Sequence, residues 1–296
     1  MLPLYFLRLD FASPIEIVAQ RILWSLLLCG LLLIFTHRIG EVVQVLRQPR
    51  RLGLLALSAT LILINWLVYV YAANNGEILQ ASLGYFTNPL VSIFLGVLVL
   101  HERLRPLQWV AVTLGLGAVV IIGIGYGHPP WLALALAFSF GTYGLLKSFT
   151  GRHTGAVTSL TIETLLLAPI ALIVLGWLSS RGQSHFTSHG LDSALWLAST
   201  GIVTAVPLTL FAAAAQRIPL SLLGMLQYLA PSMQFIIAVA VEHEAMSTSR
   251  WIGFAIIWLA LALLSSSALL AFRRRRRATR SAADVQAACT DAAEVH

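Results

Sequence analysis

Residues 84–104 read GYFTNPLVSIFLGVLVLHERL, and a related phrase, LQYLAPSMQFIIAVAVEHEAM, returns at 226–246. Each is an apolar run with a proline and an amide near its start, and each closes on His-Glu. A proline inside a helix frees the carbonyl four residues earlier, here that of Tyr85. In hydrocarbon such a carbonyl must find a partner. Either Thr87 and Asn88 repair the kink, or the kink lines a cavity and serves as a hinge. A slide of 142 residues places Pro89 on Pro231, His101 and Glu102 on His243 and Glu244, Trp109 on Trp251, Tyr69 on Phe211 and Phe86 on Tyr228. The register holds from about 52–123 against 194–265. Chance likeness between apolar helices would pair Leu with Val; it would not keep a proline, a His-Glu pair and a tryptophan in step. With a different offset, Glu16 in SPIEIVAQR mirrors Glu163 in SLTIETLLL.

The surrounding chain has membrane composition: 58% of its 296 residues are hydrophobic and 10% are charged, against about 25% charged in a soluble domain. Blocks of roughly 20 apolar residues match the ~30 Å hydrocarbon core. Nine full spans are expected, at about 15–36, 52–73, 78–100, 107–125, 130–148, 158–178, 193–214, 220–241 and 251–272. Lys and Arg gather in alternate loops, around 37–51, 101–106, 147–152 and 217, and in the run Arg273 to Arg277. By the positive-inside rule those loops and the C-terminus are expected to be cytoplasmic. The arginine run reads as a stop-transfer anchor on anionic headgroups rather than a nucleic-acid arm, and the polar tail after it as disordered.

Domain boundaries follow: a first repeat at 1–125, a second at 130–272 and a basic tail at 273–296. The second repeat has five spans. Five is odd, so the two copies are expected to lie in the bilayer with opposite orientation, the architecture of alternating-access carriers. In the first repeat the opening helix is expected to be incomplete. Residues 2–8, LPLYFLR, resemble the end of the 130–148 helix, and a stub of that length cannot cross the core. No cleavable signal peptide is evident in MLPLYFLRLD.

The stretches PIEIVAQRILWSLL, NWLVYVYAANNGEILQASLGYFTNPLVSIFLGVLVLHERLRPLQWVAV and, more weakly, GMLQYLAPSMQFIIAV resemble RarD-type permeases of the EamA family in the drug/metabolite transporter superfamily. The resemblance reaches to about residue 272. It implies an all-α polytopic fold of ten spans in two five-helix repeats, a plasma (inner) membrane location, and export or exchange of small metabolites or drugs. It does not name a substrate.

Candidate cavity residues come from polar and aromatic groups at depth. Asn65, Trp66 and Tyr69 share a broad helix face; aromatic walls with a few amides suit an amphiphilic or aromatic solute. Tyr85, Asn88 and Pro89 on one kinked helix face Gln227, Tyr228, Pro231 and Gln234 on its counterpart. Ionisable groups inside spans are expensive and need a reason. Glu16 and Arg21 could pair loosely, or Arg21 could reach another helix. Glu163 is a candidate coupling group, or a shallow or paired residue. Lys147 is expected to snorkel to the interface. His101-Glu102 is expected to fix its turn and to cap the helix that follows. Small residues at 133, 137 and 141, and at 111 and 115, permit close helix contact.

Cys29 and Cys289 make no disulfide framework, and no metal-ligand spacing, phosphate loop or nucleophile–base arrangement occurs. No cofactor, metal or enzymatic chemistry is therefore expected. The leading expectation is a secondary transporter working on a small-molecule substrate within the lipid bilayer, driven by protons or by a counter-substrate. The alternative is a non-transporting membrane sensor or an accessory subunit. Nothing in the pattern sets an oligomeric state.

Overall fold

The computed structural model describes residues 5, 9, 11–75, 77–104, 106–124, 130–151, 154–186, 190–229, 233, 251–252, 255–256, 258–259 and 262. Among these the chain is helical, in the order α1 (Pro14–Phe35), α2 (Ile39–Leu46), α3 (Pro49–Asn74), α4 (Ile78–Leu98), α5 (Pro106–Ile124), α6 (Trp131–Thr150), α7 (Ala156–Ser180), α8 (Leu191–Ala215) and α9 (Leu220–Gln227). Five of these, α1, α3, α6, α7 and α8, are long and apolar enough to cross a membrane, and Leu83–Leu98 within α4 is a shorter apolar helix. The expected spans at 220–241 and 251–272 fall largely outside the described residues, as do the arginine run, the tail, His243 and Glu244.

Local chemistry sets the helix ends. Ser13 caps α1 by accepting from the Glu16 amide at 3.3 Å, and Pro14 occupies the first turn, where its missing N–H costs nothing. His37 and His101 both sit in the left-handed region, with φ of 55° and 53°, and turn the chain just past α1 and α4. For His101-Glu102 the turn-fixing expectation is met. The polar interruption at 37–51 is not only a loop: it contains α2, whose Val42 and Val45 pack on Leu33, Leu55 and Ile162.

Packing divides the helices into two groups. Helix α1 packs chiefly on α7 and α8; α4 packs chiefly on α6 and α9. Helix α3 bridges the groups, lying against α6 and also touching α7, α4 and α1. Between α1 and α4 there is no extended contact. By the sequence correspondence, α1 is thus packed on its counterpart α7, and α4 on its counterpart α9. Lipid tails are as apolar as leucine, so helices associate through close backbone approach at small residues. At Gly201 a β-carbon would come 2.5 Å from the backbone carbonyl carbon of Trp24, and at Gly224 one would come 2.8 Å from the Pro89 carbonyl oxygen. The small-residue row on α6 is used in the same way: Ala133 and Ala137 are buried, and Gly141 lies against Val91 of α4. Large apolar side chains such as Phe35, Ile173 and Leu191 point outward, as helices bathed in lipid require.

Candidate functional site

Among the described residues, three polar groupings lie within the bundle. The first surrounds Arg21 on α1. Its Nε donates to Thr204 Oγ1 on α8 at 2.8 Å, and its guanidinium carbon lies 4.6 Å from the centre of the Trp66 ring on α3. Tyr69 and Tyr85 meet edge to face with ring centres 6.0 Å apart. Trp66 is buried, whereas Tyr85 keeps 43% of its surface accessible. The loose Glu16–Arg21 pair is not formed. Glu16 instead accepts from Ser184 Oγ at 3.2 Å and from the His185 amide at 2.9 Å, and contacts the His185 ring at 3.1 Å.

The second grouping lies where α4 meets α9. Gly224 of α9 faces the Pro89 carbonyl and the Ser92 side chain. Within a turn of that contact, Asn88 Oδ1, Ser92 Oγ and both amide atoms of Gln227 are buried with no hydrogen-bond partner. Thr87 does not repair the proline kink: its hydroxyl donates to Leu83 at 2.8 Å rather than to Tyr85. Tyr228 is buried, with its hydroxyl 2.7 Å from where a β-carbon of Gly115 would be. Pro231 and Gln234 lie outside the described residues. Asn65 is less a cavity wall than a clamp: its amide donates to the Leu136 carbonyl and to Ser139 Oγ of α6, both at 3.0 Å.

The third grouping joins α6 and α7. Lys147 Nζ contacts Glu163 Oε1 at 2.5 Å and Ser159 Oγ at 2.6 Å, and Tyr143 donates to Glu163 Oε2 at 3.3 Å. Lys147 is 0% exposed and Glu163 1%. The snorkelling expectation for Lys147 is therefore overturned. Its helix ends only a few residues beyond it, but the Glu163 carboxylate draws the ammonium inward, and a buried charge is tolerated only with such a partner. Two further residues complete a wall of rings, with Phe211 of α8 centred 4.9 Å from Phe140 and 6.2 Å from Tyr143.

Glu102 corrects another expectation. Its carboxylate accepts from the amides of Leu220 and Ser221, at 2.6 and 2.8 Å. It thus caps α9, in the other half of the chain, rather than α5 that follows it. Sequence reasoning passed over Lys147 as a partner, Ser159, Ser92 and Thr204. One signal was present for the first: opposite charges on consecutive helices, each within about two turns of the connecting turn, can meet across it.

The family model described as the EamA-like transporter family matches the chain twice, over residues 4–124 and 130–266. The chain belongs to the EamA-like transporter family. Among this family's members it is 50% identical over 283 residues to Protein RarD of Streptomyces exfoliatus, covering 96% of this chain and 89% of that one. It is 42% identical to a protein of Vibrio cholerae named an uncharacterized transporter, covering 93% and 91%. To Protein RarD of Escherichia coli K12 it is 39% identical, covering 92% and 91%. A solved crystal structure at 20% identity superposes with a TM-score of 0.67 over 92% of this chain and 93% of its own, which speaks to the fold alone. As an EamA-like transporter, the chain is an all-α, multi-pass membrane protein of a RarD type.

Proposed function

We propose that this transporter is a secondary carrier that moves a small organic metabolite or drug across the plasma membrane by alternating access, in the export direction, coupled to protons or to a counter-substrate. The two halves are read as inverted copies, residues 1–125 and 130–272, with a cytoplasmic C-terminus. The observation that carries the reading is the set of orphaned polar atoms on Asn88, Ser92 and Gln227 where α4 meets α9. An unsatisfied buried polar group costs about 1–3 kcal/mol. Such atoms persist in a fold if water or a solute reaches them in another state. Their position beside Pro89, on two helices read as counterparts, supports a place at the contact about which inverted halves would rock. Asn88, Gln227 and Tyr228 then line the solute path, and the sequence correspondence adds Pro231 and Gln234 as candidates. Glu163, in its pair with Lys147, is the coupling candidate.

Cysteines placed singly at Asn88 and Gln227, in a background where Cys29 and Cys289 are serine, test the path directly. Membrane-impermeant thiol reagents should label each from one face of the membrane, and changed conditions should switch that face. Protection from both faces in every condition would end the carrier reading. Flux into proteoliposomes, with and without a pH gradient, decides coupling: gradient dependence unchanged in Glu163→Gln removes Glu163 from it.

A further inference from the structure

Helix α2 has an apolar face that the bundle leaves uncovered. Its Val42 and Val45 pack on Leu33, Leu55 and Ile162. Ile39, Val43 and Leu46 follow one another at spacings of four and three, so they form a second apolar stripe about a quarter turn round the helix from the first. All three are exposed. Gly40 and Gln44, also exposed, make a third, polar side. The neighbouring helices say what covers the stripe. Only residues 36–38 separate α1 from α2, and only 47–48 separate α2 from α3. Both α1 and α3 are long and apolar enough to cross a membrane, so α2 is held at the level where two spans leave the hydrocarbon. An amphipathic helix at that level lays its apolar side among acyl chains and its basic groups among headgroups.

The charges fit the same occupant. Arg38 is matched within the protein by Glu41, 3.6 Å away, which also accepts from Thr158 Oγ1 at 2.8 Å. Arg47, Arg50 and Arg51 form no ion pair among the described residues, and Arg47 and Arg50 are exposed. Arg50 and Arg51 stand in the first turn of α3, which holds no acidic residue and where the helix dipole disfavours a cation. Helix stability does not account for their place; anions outside the chain do. Nor does the repeat require α2. By the sequence correspondence the matching connection runs from α7 to α8. It contains no helix among the described residues, and the guanidinium carbon of its Arg181 lies 4.3 Å from the centre of the Trp177 ring.

We infer that α2 and the start of α3 form a docking surface for anionic phospholipid of the surrounding bilayer. Ile39, Val43 and Leu46 lie among its acyl chains, and Arg47, Arg50 and Arg51 hold its phosphates, whose oxygens suit the planar guanidinium fork. The inference stands whether or not the protein is a carrier.

The test reads the lipid at α2 itself. Val43→Cys, in full-length protein whose Cys29 and Cys289 are serine, is labelled with a bimane fluorophore and placed in vesicles of phosphatidylglycerol and phosphatidylcholine. Either lipid in turn carries brominated acyl chains, which quench the fluorophore on contact. Quenching by both is expected, with phosphatidylglycerol favoured at that spot by at least about fivefold, the gain from a single arginine beside an anionic headgroup. Arg47→Gln combined with Arg50→Gln and Arg51→Gln should bring the preference close to one. Arg217→Gln, an exposed arginine that already donates to the Ala213 carbonyl, should leave it unchanged. Should the triple variant fail to fold, raising the salt to about 0.5 M should weaken the preference in the parent by screening. No quenching by either lipid means that water, a second copy or another protein covers the stripe, and overturns the inference. Equal quenching by both lipids, a preference that survives the triple variant or high salt, or an equal loss in Arg217→Gln overturns it as well. The cysteine labelling at Asn88 and Gln227 does not involve this surface, so a failed carrier reading is told apart from a failed lipid site.

Discussion

Glu16 and Glu163 stand at matching places in the two halves of the chain, and both are enclosed, at 0% and 1% exposed. Their partners differ. Glu163 is met by an ammonium, Lys147 at 2.5 Å, on the neighbouring helix of its own half. Glu16 is met by an amide, a hydroxyl and an imidazole from the 184–185 segment between α7 and α8, in the other half. One carboxylate therefore fastens two consecutive helices together. The other fastens the start of α1 across to the opposite half. A repeated sequence preserves the position of an acid; what surrounds that position decides whether the acid meets an ammonium from its own half or an amide, a hydroxyl and an imidazole from the other. The difference has an energetic side. Removing one member of a fully buried ion pair leaves a costly charge behind, whereas Glu16 shares its contacts among three groups, one of them a His185 side chain that is 40% exposed.

The sharpest way to break the comparison is at Lys147. Lys147→Met leaves Glu163 buried without its ammonium and is expected to cost about 3–5 kcal/mol, read as a large drop in the thermal midpoint of the detergent-solubilised protein. The double variant Lys147→Met with Glu163→Met should recover most of the loss. No recovery would mean that the pair acts with Ser159 and Tyr143 as a larger unit. Next come the close approaches between the halves. Gly201→Ala drives a methyl into the Trp24 backbone and Gly224→Ala drives one onto the Pro89 carbonyl; each should cost about 1–3 kcal/mol by overpacking, with Gly201→Ala the worse. A Glu102→Ala variant removes the cap on the Leu220 and Ser221 amides and should cost about 1–2 kcal/mol, visible also as faster amide exchange in the first turn of α9. The smallest effect is expected at Glu16→Gln, which keeps an acceptor for the His185 amide. About 1 kcal/mol or less is expected there, against a far larger loss at Lys147. Equal losses at the two sites would erase the distinction between them.

Much of the fold could be read along the chain. Helix α1 begins at Pro14, within a residue of the expected span, α4 contains its proline, and the small residues of α6 are used for close helix contact, here with α4. The candidate site was legible only in part. Arg21, Trp66, Tyr69 and Tyr85 are brought together, and Asn88 and Gln227 share the α4–α9 contact. Asn65 turned from wall to clamp because its partners, Leu136 and Ser139, lie on a helix whose neighbour could not be named in advance. Helix α2 escaped notice because a short amphipathic helix beside arginines has the composition of a loop.

Composition, span-length apolar blocks, kinking prolines and a phrase written twice are properties of the chain alone, and they were enough to determine a polytopic helical membrane protein built from two related halves. The partner of each buried polar group was decided only by the tertiary structure. Glu102 finds amides at 220 and 221, Arg21 finds Thr204, and Lys147 is drawn into the bundle instead of out to the interface. The physical reason is range. Helix formation is settled within a few residues, but the removal of a charge from water is compensated only by groups that packing delivers from elsewhere, often more than a hundred residues away.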